Sequence, residues 1–215
     1  MLAKPSGPSL LAFLDQHGAE MYSAPFDVPS SRILPEYRPL AYQWVLNFIS
    51  GLAFVHGHDV IFGDPDLTQC WLSSDLRLSL VGFINAGFLD KERWSRVVEG
   101  DWSGIYGEYP DGRNPTKTTD LVLFGYTVYE LMTAYWPAIR SSVRPWKKSG
   151  VDVPRHQWPR LETEYMGDIV RKCCKGEYTN ANDVKVVVVD FLEDLGWEVD
   201  EDDNLKGFDA TGLFK

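Results

Sequence analysis

Residues Leu121 to Met132 (LVLFGYTVYELM) are apolar on nearly every side of a helix. A helix with no polar face is stable only when other chain surrounds it, so this segment predicts a buried central helix. A second segment makes the same demand. From Leu40 to Val55, the residues Leu40, Trp44, Val45, Phe48, Leu52 and Val55 recur at helical spacing and predict a long, largely buried helix. Two such helices need a sizeable core, and 215 residues with a 44% hydrophobic share supply one for a single domain.

The rest of the chain reads as shorter elements around that pair. Ser9 stands as an N-cap before Leu10, Leu11, Phe13 and Leu14, a short amphipathic helix closed by Gly18. A Pro- and Ser-rich linker runs from Ala24 to Pro39. Val60–Phe62 and Leu76–Val81 read as short strands, with Cys70–Leu72 as a candidate third. Gly82 to Thr119 shows little periodicity and predicts a long loop, with Thr118 as the cap of the following helix. A helix is expected around Glu162–Cys174. The last element, Ala181–Leu192, reads as helix or strand, because Val184–Val189 is dense in β-branched residues. The fold class expected is mainly α (α+β overall), a helical bundle with short β-hairpins.

A formal net charge of -10 argues against nucleic acid and anionic membrane as partners, since both reward basic surface. Much of the acidity lies between Glu193 and Asp203, and residues 193–215 are expected to form a solvated acidic tail. Cys70, Cys173 and Cys174 give neither a disulfide framework nor zinc spacing. His56 and His58 flank a turn and read as ordinary polar turn residues. No secretory segment opens the sequence and no apolar run spans a bilayer, so an intracellular protein, cytoplasmic or nuclear, is expected.

Three segments together resemble the C-terminal lobe of eukaryotic protein kinases. Gly51-Leu52-Ala53-Phe54-Val55-His56, followed by Val60-Ile61-Phe62-Gly63-Asp64, is similar to the helix and strand feeding the His-Arg-Asp loop. Leu76 to Ile84 falls where the Asp-Phe-Gly turn is found. Asp120-Leu121 through Tyr129-Glu130-Leu131 looks like the family's central helix with its leading Asp. The wording is closest to divergent kinase-like proteins of filamentous fungi. The resemblance implies a kinase-like lobe over residues 1–192, with a hinge-like start at 1–8 and no N-terminal lobe.

What the resemblance implies for chemistry is loss. Asp64 matches the catalytic base, but Asp66 stands where many kinases carry a Lys. Gln69 occupies the position of the magnesium-holding Asn, and Gly82 that of the magnesium carboxylate. Phe83 and Asp120 match residues with structural tasks, Asp120 receiving the loop's backbone amides. Trp71 would fill the space beneath an adenine, or else pack as a core residue.

The function expected is a catalytically inactive pseudokinase lobe, a scaffold or regulatory module that binds a protein partner and needs no cofactor. Trp94, Trp102 and Tyr106 are the candidate anchors for that partner, the other reading being that they pack their own loop. An apolar upper face around Trp71, Leu72 and Val81 adds homodimerisation as an expectation. The alternative is an ATP- and Mg-dependent kinase whose N-lobe is missing from this chain, Ser/Thr protein kinase-like or aminoglycoside-phosphotransferase-like, with Asp64 as base.

Overall fold

A computed structural model describes residues 6–24, 30–83, 86–89, 94–96, 116–135 and 160–214. It is mainly helical. Helix α1 spans Leu10–Met21, α2 Arg38–Gly57, α3 Lys117–Thr133, α4 Gly167–Cys174 and α5 Ala181–Asp194. Strand β1 is Val60–Ile61, β2 Cys70–Leu72, β3 Leu78–Leu80, β4 Gly87–Leu89 and β5 Trp94–Arg96. The strands form two small antiparallel sheets, β1-β4-β5 and β2-β3.

Helices α2 and α3 make the core. Trp44, Phe48, Ile49 and Leu52 of α2 are buried, and α3 is buried continuously from Thr119 to Thr133. Phe48 meets Phe124 edge to face at 5.2 Å, which joins the two helices. Gly125 lets α4 approach α3 closely, since a Cβ there would lie 2.6 Å from the Cβ of Cys173. Helix α5 settles the β-branched run as helix. Ala181, Val184, Val188 and Leu192 share one buried stripe, and the side chain of Asn180 accepts from Asn182 N–H as the N-cap.

Several expectations need correction. Helix α1 does not stop at Gly18 but continues to the fully buried Met21. The cap of α3 is Thr116, not Thr118: Thr116 and Thr119 exchange side-chain and backbone hydrogen bonds in a capping box. Strands β4 and β5 lie inside the stretch read as a long loop. Leu72 is fully buried, so it cannot belong to an exposed upper face; Trp71 and Val81 are half-buried.

Beyond α5 the chain is not a solvated tail. Glu198, Glu201, Asp202 and Asp209 are exposed, while Leu205 and Ala210 are buried. Gln43 on α2 holds the segment by two main-chain bonds, its Nε2 donating to Asp203 O (2.9 Å) and its Oε1 accepting from Leu205 N–H (2.7 Å). Further on, Phe214 packs against Phe13 of α1 and stacks on Tyr37. The acidic run hid the apolar residues spaced through and beyond it.

Candidate functional site

The loop joining β1 to β2, residues 62–69, hangs from one carboxylate. Asp120, in the first turn of α3, is fully buried and accepts from Phe62 N–H (2.7 Å) and Gly63 N–H (2.8 Å). His56, in the last turn of α2, adds a third bond from Nε2 to Asp120 (2.9 Å). A carboxylate only accepts, so Nε2 is the donor, while the buried Nδ1 has no hydrogen-bond partner among the described residues. His56 is therefore not an ordinary polar turn residue but a buried partner of Asp120. It lies one helical turn beyond Leu52, on the buried side of α2, and that spacing was the available signal. Lys117, the first residue of α3, closes the arrangement by donating to His56 O (2.7 Å) and to Asp59 (2.9 Å), whose carboxyl it holds below the usual range.

Within the loop, Asp64 is half-buried beside Gly63. Asp66 is turned inward. Only 3% exposed, it accepts from Thr68 N–H (2.7 Å), the Thr68 hydroxyl and Gln69 N–H (3.3 Å). Those bonds make a side-chain-stabilised turn that shapes the approach to β2. Thr127 of α3 supports the same loop by donating to Pro65 O (2.9 Å).

Gln69 and Gly82 face each other where β2 and β3 open. Val81 N–H donates to Gln69 O (2.8 Å), and the Gln69 carboxamide then folds back over Gly82. An added Cβ at Gly82 would lie 1.7 Å from Gln69 Oε1. Gly82 also has φ +75°, a left-handed conformation that side chains rarely tolerate. Phe83 follows, 39% exposed, with its ring edge-on to the buried Phe62 at 5.1 Å.

The structure thus gathers Asp64, Asp66, Gln69, Gly82, Phe83 and Asp120 around one loop. Trp94 lies apart on β5, its backbone paired with Leu89, while Trp102 and Tyr106 fall outside the described residues. Sequence reasoning missed His56, Lys117 and Thr127, which act through hydrogen bonds to residues distant in the chain, and Thr68, which acts locally on Asp66. Among the described residues, no group of three His, Cys, Asp or Glu side chains could hold a metal ion. No helix among them is long and apolar enough to cross a membrane. No protein-family model and no curated protein matches the chain.

Proposed function

We propose that this chain is a kinase-like C-terminal lobe that has given up phosphoryl transfer and acts as a protein-binding module. The kinase-like part of the reading is supported by Asp120, which receives the amides of Phe62 and Gly63 as the resemblance implies for the leading Asp of the central helix. The inactive part rests mainly on Gln69 and Gly82. Phosphoryl transfer depends on charges placed around the phosphates and on magnesium held by carboxylates in octahedral geometry. At the turn that would supply one carboxylate, the backbone is left-handed and the space for a side chain holds the Gln69 carboxamide. The other acid of the loop, Asp66, is buried and turned onto Thr68. These residues do not fit a magnesium–nucleotide complex.

The test is thermal unfolding of the chain titrated with ATP and either magnesium or manganese. No change in midpoint is expected at millimolar nucleotide. A saturable rise would overturn the reading, because any ligand that binds only the folded state must stabilise it. Asp64→Ala separates the alternatives by function: partner binding survives it if the lobe is a scaffold, whereas a phosphotransferase would lose its base.

A further inference from the structure

A second concave site lies away from the loop, between the N-terminal half of α2, the turn joining β2 to β3, and the segment after α5. It is a cleft of about 210 Å³. Leu76 and Phe208 supply its accessible apolar surface, over the buried Leu40 and Leu205. Gln43 lines it too, but both ends of its amide are taken by main chain, so it fixes the wall rather than offering bonds to a ligand. The polar groups left at the opening are Asp75, Arg77 and Asp209.

These three charges are not equivalent. Arg77 lies 3.6 Å from Asp75, so its charge is partly committed to that acid. Asp209 has no cationic partner among the described residues. Its carboxyl is kept ionised by Thr211, whose backbone N–H (2.9 Å) and hydroxyl (2.8 Å) both donate to one oxygen. The second oxygen remains for a donor from outside. The opening therefore carries an excess of negative charge over an apolar floor, on a chain whose own net charge is -10.

From this geometry we infer that the cleft takes a single Lys or Arg side chain from a partner polypeptide. Those side chains combine an aliphatic stem with a cationic head, so the stem can lie on Leu76 and Phe208 while the head meets Asp209. A cleft of this size is smaller than the usual pocket for a drug-sized molecule and suits one long side chain. The inference deepens the binding-module reading and rests on it for its purpose, since it names the chemistry a partner would present.

The experiment is an amide NMR titration of the full chain with an end-capped pentapeptide bearing one central Lys or Arg, and with its Glu analogue. Shifts confined to amides of residues 75–77 and 204–211, produced by the basic peptides alone, support the site. Asp209→Asn retains the oxygen that Thr211 uses and should weaken binding about three- to fivefold. Arg77→Ala removes the competing cation and should tighten it, a direction that mere loss of structure would not give. No basic-peptide shift, equal shifts from the Glu analogue, or weaker binding in Arg77→Ala would overturn the inference. Nucleotide-induced stabilisation alongside intact peptide binding would instead remove the reading on which it rests and leave the site standing.

Discussion

The carboxamide of Gln69 occupies the space that any side chain at position 82 would need, with Oε1 only 1.7 Å from where a Cβ of residue 82 would lie. The pair is thirteen positions apart in sequence and meets only because β2 and β3 are antiparallel neighbours. Gly82 also carries φ +75°, so two separate costs oppose a side chain there.

Those costs can be divided by a double-mutant cycle. Gly82→Ala should destabilise by about 1–2 kcal/mol, part from the left-handed backbone and part from expelling the Gln69 amide. In a Gln69→Ala background the second part vanishes, so the same Gly82 change should cost at least about 0.5 kcal/mol less. Urea unfolding of the four proteins measures this directly. Strictly additive costs would mean that the two residues do not share the space.

Asp120 should be the most sensitive polar position in the described core. Asp120→Ala strands Phe62 N–H, Gly63 N–H and His56 Nε2–H in a site with no solvent exposure. Unsatisfied buried donors cost about 1–3 kcal/mol each, so a total loss of at least about 3 kcal/mol is expected. Asp120→Asn keeps one acceptor oxygen and should lose less. Hydrogen exchange gives a local readout as well: protection of the Phe62 and Gly63 amides should fall in the order wild type, Asn variant, Ala variant.

The two core helices were legible in the sequence because their apolar spacing carries the periodicity of the structure itself. Val184–Val189 was ambiguous for a physical reason, since β-branched residues suit strands locally while Ala181, Val184, Val188 and Leu192 form a helical stripe. Strand β5 was missed because Trp94-Ser95-Arg96 is too short to show alternation. Of the candidate site, Asp120 is an acceptor for the amides of Phe62 and Gly63, and nothing in its local sequence marks His56 as its buried partner. The Gln69–Gly82 contact and the inward turn of Asp66 depend on loop geometry, which residue types do not encode by spacing.

The segment after α5 offers a sharp contrast between two readings of one composition. For a solvated tail, Leu205→Ala would change stability by no more than about 0.5 kcal/mol. Leu205 is instead 2% exposed, and its N–H is held by Gln43. A loss of about 2–4 kcal/mol is expected from the cavity and the lost transfer energy. Chemical denaturation with a single cooperative transition would show that the segment unfolds with the core.

Arg32 and Glu162 give a prediction in pH. Arg32 donates through Nε (2.8 Å) and a terminal nitrogen (3.2 Å) to the two Glu162 oxygens, and this contact lowers the Glu162 pKa. A depressed folded-state pKa means that the folded protein binds the proton less readily than the unfolded chain does. The resulting stability is present above the ordinary Glu value of about 4.3 and is lost as pH falls through the lower folded value. Glu162 is half exposed, so solvent screening keeps the contribution to about 0.5 kcal/mol. Glu162→Gln should therefore be slightly less stable than wild type at pH 7, and the gap should close below pH ~4. Unfolding midpoints measured from pH 7 to 3 would show the two curves converging; a gap that persisted or grew in acid would mean that Arg32 does not favour the ionised carboxylate.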